Sequence, residues 1–280
     1  MSDRNTFRRF FKRIVQSPTG LIGMIILFIW VLVAIFAPLL APYEPTTLHL
    51  TEKLMQPSSN YWLGTDTFGR DVLSRIIYGS RTILTISLST AIISTFCGVI
   101  IGFFSGYFGK IIDKIIMKFL DIVISIPALV LALVMLGLMD KPGVGTIIII
   151  ISIVYVPWTA RVARSRLLEW KSLEFVDAAR IRGESHFYIM FSEILPNTIN
   201  SILVEGTARF SYAIMTVASL GFLGVGIQPP NPDWGMMVAE SKTVLIVAPW
   251  TVLFPAMAIG TLVIASSFFT EFLVEFLLKE

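Results

Sequence analysis

Six apolar stretches, at residues 21–41, 82–107, 122–139, 143–160, 207–227 and 243–270, constrain this chain more than any other feature. About 20 apolar residues in a helix cross a ~30 Å hydrocarbon core, and the third and fourth stretches sit near the lower limit. None alternates like a strand, so a β-barrel is excluded. Composition agrees: 55% of the 280 residues are hydrophobic and 15% charged, against roughly 45–50% and about 25% in soluble domains. The expected fold is an all-α polytopic membrane protein with six transmembrane helices. The first stretch is too long for a signal-peptide core, and the Ala-Pro pairs at 37–38 and 41–42 make a poor cleavage site, so it reads as a retained helix.

Lys and Arg set the orientation. With the N-terminus inside, the cytoplasmic segments hold Arg4, Arg8, Arg9, Lys12, Arg13, Lys110, Lys114, Lys118, Arg161, Arg164, Arg166, Lys171, Arg180, Arg182 and Lys279. The outer segments keep Lys53, Arg70, Arg75, Arg81, Lys141 and Lys242. Both termini are therefore expected in the cytoplasm. The net charge of +3 hides this asymmetry.

The spans carry little chemistry. An ion-coupled carrier needs titratable or anionic groups in the membrane, and only Glu205 and Arg209 come near one. Four residues apart, they share a helix face and are expected to pair at the cytoplasmic entrance of the fifth span. The lone Cys97 excludes disulfides and thiolate clusters, and His49 and His186 fall on opposite sides, so no metal site is expected. The run Gly102-Phe-Phe-Ser-Gly106 has no His in any span to serve as a base, and it fits a small-xxx-small packing face. No phosphate-binding loop of the form GxxxxGK[ST] occurs. If this chain moves a solute uphill, another chain supplies the work. No nucleic-acid partner is expected; the lipid bilayer is.

Two hydrophilic segments are informative. In residues 161–200, Phe175, Ala178, Ala179 and Arg182 recur at helical spacing, with the alanines as a small, smooth patch. Gly183 is placed as a helix C-terminal glycine, Ser185 as the cap of a second short helix, and Pro196 as a break before the fifth span. Two short amphipathic helices there make a docking surface for another protein, or a pair lying on the lipid interface. The second segment, Leu63-Gly64-Thr65-Asp66 through Gly69-Arg70-Asp71 to Ser74-Arg75, is turn-rich and leads into a mixed-charge helix from about Arg70. By itself it reads as a solvated loop with local Asp–Arg pairs.

The first segment resembles the EAAxxxGx(9)IxLP loop of membrane subunits in binding-protein-dependent ABC importers. Asp177, Ala178, Ala179, Gly183, Leu195 and Pro196 match it, Asp177 standing for Glu and Glu193 occupying the Ile position. The second is similar to the LGTDxxGRDxxSRxxxGxR signature of C-type permeases of oligopeptide, dipeptide and nickel importers. Gly64, Thr65, Asp66, Gly69, Arg70, Asp71, Ser74 and Arg75 carry it.

The resemblance implies a type I importer permease fold and a division of the chain. Residues 1–81 would hold the tail, first helix and external signature; residues 82–280 would form a five-helix core with the coupling loop at 161–200. It implies a permease importing oligopeptides or dipeptides, or nickel and metal chelates as the alternative, and not an enzyme. The implied partners are a homologous B-type permease, two ATPase subunits and an extracytoplasmic substrate-binding protein. ATP and Mg would sit on the ATPases, with no cofactor on this chain, and the site would be a bacterial or archaeal cytoplasmic membrane. A stand-alone channel or secondary carrier is the reading from another class. No substrate-binding residue is identified.

Overall fold

The computed structural model describes residues 3–139 and 142–278, so Lys141 and Lys279 lie outside the described residues. Its helices, in chain order, are α1 (Asp3–Gln16), α2 (Pro18–Ile35), α3 (Ala37–Leu40), α4 (Val72–Phe108), α5 (Lys110–Ser125), α6 (Ala128–Gly137), α7 (Val144–Lys171), α8 (Glu174–Ile181), α9 (His186–Tyr188), α10 (Leu195–Phe222), α11 (Trp234–Ser241) and α12 (Trp250–Leu278). Residues Ile189–Ile194 wind as a π-helix between α9 and α10. Among the described residues the helices form a bundle with no named strand, matching the all-α expectation.

Among the described residues five helices are long and apolar enough to cross a membrane: α2, α4, α7, α12 and the continuous α9–α10 unit. The third expected span departs from expectation. Residues 122–139 are not one straight helix, because α5 and α6 meet at 84°. Pro127 causes the break: it offers no N–H and holds Ile126 in extended geometry (φ −93°, ψ 127°). At 1.5 Å per residue, α6 alone reaches only about 15 Å, half a bilayer core. The pair makes a sixth span only as one bent unit. The last span starts at Trp250 instead of residue 243, since residues 242–244 form a 3₁₀ turn.

Close helix packing comes from small residues. Along α4, Gly98, Gly102 and Gly106 face α7, and a methyl group at Gly98 would stand 2.6 Å from Thr159 Cβ. At Gly102 it would run into the Ala160 carbonyl. The stretch read as a packing face is one. In the same way Gly20 of α2 lets the Phe272 ring of α12 approach.

One end of the bundle carries the basic clusters (α1, the start of α5, the end of α7 and α8), and we call it the basic end. There Arg164 Nε and Nη2 both donate to the Asp113 carboxylate at 2.5 Å, tying α5 to α7. Lys171 donates to the Gly106 and Tyr107 carbonyls. The main core, around Ile86, Leu136, Ile151, Ile214 and Leu262, fills the bundle; a second around Phe103, Leu167 and Met190 underlies the basic end. An apolar groove of about 830 Å³ opens between α2, α4, α10 and α12.

Candidate functional site

At the basic end, α8 terminates on Gly183 in left-handed geometry, φ +82°. The Gly183 N–H bonds the Arg180 carbonyl at 3.0 Å and the Glu184 N–H bonds Ala179 at 3.2 Å, the paired closure of a Schellman turn. Ser185 Oγ then accepts from the Tyr188 N–H at 3.2 Å, capping the next turn. Helix pitch separates the two alanines. Ala178 is exposed, whereas Ala179 is 0% exposed and packs with Val176, Met190 and Ile194 inside the chain's own core. The expected two-alanine patch is therefore not a surface feature, because adjacent helical residues point about 100° apart. What the loop presents instead is Ala178 with Ile181, 88% exposed, and Phe187. Ile181 was legible only as an isoleucine on the charged side of a short helix.

Glu193 has a defined place. Its carboxylate accepts from Arg182 Nη2 at 2.9 Å, bridging both sides of the Gly183 turn. Asp177 pairs with Arg180 at 2.8 Å on open surface, an arrangement worth little stability. Leu195 is half-buried and Pro196 exposed. Proline lacks the N–H that an α-helix would use here. The chain widens into the π-turn, Leu195 N–H bonds Met190 O, and Asn197 Nδ2 satisfies the Glu193 carbonyl at 2.7 Å.

At the opposite end, the signature segment is buried rather than solvated. Thr65, Asp66, Arg70, Asp71, Ser74 and Arg75 are all at most 5% exposed. Asp66 Oδ1 accepts from the Phe68 and Arg70 N–H groups, and its Oδ2 accepts from Arg70 Nε at 2.6 Å. Asp71 caps α4 through the Ser74 N–H and hydroxyl. Gly69 (φ +77°) rests directly on the His49 carbonyl, and Gly64 (φ +75°) abuts Met55 O and the Trp250 ring. The local Asp66–Arg70 pair exists, but it extends into a network. Arg70 Nη2 donates to Glu240 of α11 at 2.6 Å, and Arg75 lies 3.5 Å from Glu240 and 3.7 Å from Asp66. Trp250 Nε1 donates to Thr65 O, and Trp234 Nε1 to Ile76 O. The segment locks α4, α11 and the start of α12 together. Glu240 was missed; a single carboxylate on an otherwise uncharged short helix was its signal.

Beside this network, Asp233 caps α11 and is 3% exposed. Burial pushes its carboxyl up from 3.8 to about 6, against the pull of the Met236 and Gly235 N–H groups. The folded chain thus keeps a proton that the unfolded chain has lost. The stability from this group is full below the unfolded value, declines as pH rises toward about 6 and is flat above it. Asp233→Asn keeps the cap and cannot ionise. The melting temperature of the wild type relative to this variant is expected to fall between about pH 4 and pH 6 and then level off, which thermal unfolding in detergent measures.

Glu205 and Arg209 are paired, Oε1 to Nε, at 2.8 Å. They lie near the midpoint of α10, which runs unbroken from Leu195. The Arg209 guanidinium lies 4.9 Å from the Tyr212 ring centroid and 5.6 Å from that of Tyr155 on α7.

Comparison with known proteins fits this architecture. The family described as the binding-protein-dependent transport system inner membrane component matches residues 98–279, and the N-terminal TM domain of oligopeptide transport permease C matches residues 5–57. The chain is 36% identical over 258 residues to a dipeptide transport system permease protein of Alkalihalophilus pseudofirmus, covering 92% of this chain and 84% of the relative. It is 34% identical over 264 residues to a di/tripeptide transport system permease protein of Pseudomonas aeruginosa, covering 92% and 87%. It is 38% identical over 267 residues to a glutathione transport system permease protein of Salmonella paratyphi A, covering 94% and 86%. With two family matches and relatives aligned over nearly its whole length, this multi-pass membrane chain belongs to the binding-protein-dependent transport system inner membrane components, in the branch of the peptide permease C proteins.

Proposed function

We propose that the chain is one of two permease subunits of an ATP-driven importer of short peptides. The carrying observation is the basic-end loop, which is anchored from within by Val176, Ala179 and Met190 and offers Ala178, Ile181 and Phe187 outward. A rigid, capped element with an exposed apolar tip is suited to receive a push from another protein. Peptides are the substrate class because the relatives are named for dipeptides, di/tripeptides and glutathione, itself a tripeptide.

In this reading both termini and the basic end face the cytoplasm, while the signature network and α11 face outside. Two ATPase subunits dock beneath, a homologous permease completes the pathway, and an extracytoplasmic binding protein delivers the peptide. ATP and Mg act on the ATPases. Their closure moves α8 and α9, and the π-turn before Pro196 passes that motion into α10, a rigid-element transition with no chemical step. Residues 1–81 serve as tail, first helix and external clamp and residues 82–280 as core, a functional division, since α4 continues unbroken through Arg81.

Reconstitution tests this. The purified chain alone in liposomes is expected neither to hydrolyse ATP nor to accumulate peptide. With the second permease, ATPases and binding protein, uptake is expected to follow ATP. Uptake by the single chain under an ion gradient would replace the importer with a stand-alone carrier.

A further inference from the structure

The two exposed sides of α10 differ in chemistry. Ile199, Leu203 and Phe210 line the apolar groove, which suits lipid. Ser201, Glu205, Ala208, Tyr212, Met215 and Ser219 follow one another at alternating steps of four and three. At about 100° per residue they form a single stripe roughly opposite the groove. Tyr212 is 51% and Met215 52% exposed, while the Glu205 side chain is 13% exposed and lies against Arg209.

A carboxylate and hydroxyls facing hydrocarbon are costly, and ionisable groups inside a membrane face a protein interior or a water-filled cavity. Arg209 stands about 40° further round the helix than Glu205, on the buried side, with Tyr155 and Tyr212 against it. That arrangement holds a permanent cation under the stripe and pairs it with the Glu205 carboxylate at the stripe's edge. Tyr155 Oη bonds Thr216 Oγ1 at 2.6 Å and the Tyr212 carbonyl at 3.2 Å, fixing α7 to α10 behind the pair.

We propose that this stripe is the chain's wall of the aqueous translocation pathway, and that Glu205 makes its midpoint selective for cationic groups, in the first instance the ammonium terminus of a passing peptide. The proposal rests on the importer reading for its substrate, though the wall itself does not depend on which solute is carried.

The test uses the complete transporter in proteoliposomes, in a Cys97→Ser background, with and without ATP. Ala208→Cys and Ser219→Cys are expected to react with small, water-soluble methanethiosulfonates, and Leu203→Cys, on the groove, is expected not to. At Ala208→Cys the trimethylammonium reagent is expected to exceed the sulfonate reagent, relative to their rates on a free thiol, by about tenfold. Glu205→Gln should abolish that preference and Glu205→Asp should restore most of it, with subunit co-purification as the check on assembly. Silence at both stripe positions in every state, or equal reaction at Leu203→Cys, would overturn the wall. A preference for the sulfonate reagent would overturn the cationic selectivity and assign the site to the peptide carboxylate through Arg209. If labelling follows the proposal while peptide uptake fails, the substrate assignment is wrong and the wall stands.

Discussion

Aspartate substitutions at the neighbouring alanines of α8 are expected to fail in different ways. Ala178 is exposed beside Ile181, so Ala178→Asp leaves folding intact and puts a charge where the partner must cover the surface. Burying an unpaired charge at an interface costs several kcal/mol, and a loss of ~3 kcal/mol lowers affinity more than a hundredfold. Normal membrane abundance with loss of ATPase co-purification and uptake is the expected result, and Ile181→Asp should behave the same way. Ala179 is enclosed by Val176, Met190 and Ile194. Aspartate there places the charge inside this chain, so a reduced folded yield should precede any docking defect. Gly183→Val introduces no clash, since nothing lies within 4 Å of its added carbon. The φ of +82° alone strains it, and its effect should fall between the two. Expression of each variant, thermal stability in detergent and ATPase co-purification separate these cases. Normal docking by both Ala178→Asp and Ile181→Asp would remove this loop as the coupling surface.

The contrast shows which features were legible in the sequence. Local backbone rules transferred well: the Gly183 closure, the Ser185 cap and the Gly102–Gly106 packing face each depend on a few adjacent residues, and all are present. Hydropathy placed the spans but not their shapes. Asn197, Asn200, Ser201 and Glu205 lower the average before residue 207, so the fifth span looked as if it began there, whereas α10 starts at Leu195. Residues 122–139 are apolar apart from Ser125, which conceals the bend at Pro127. The charge network was half visible. Asp66 and Arg70 are four apart and pair locally, but Glu240 follows 170 positions later, and only the folded bundle brings it to Arg70. The buried state of Ala179 was likewise invisible, because a small residue suits both a tight core and a partner's groove.

Glu240→Ala is expected to be among the most destabilising single changes at the signature end. It would leave Arg70 and Arg75, with side chains 5% and 1% exposed, sharing the single carboxylate of Asp66. Removing one partner of a buried ion pair costs about 3–5 kcal/mol, chiefly because the remaining charge is stranded. That is a large part of the ~5–15 kcal/mol that holds a typical domain together. Glu240→Gln should cost less, since its amide oxygen still accepts from Arg70. The double change Arg70→Met with Glu240→Met removes both charges at once, and on the same reasoning should be milder than Glu240→Ala alone. A network that clamps the fold predicts this ordering of melting temperatures in detergent, together with early proteolysis in residues 41–71 for Glu240→Ala. A network serving only to meet the delivered peptide predicts otherwise: all three variants would melt with the parent and differ in uptake alone. The burial of Asp66, Arg70, Asp71 and Arg75 favours the clamp, because a group closed off from solvent has no face left to offer a passing solute.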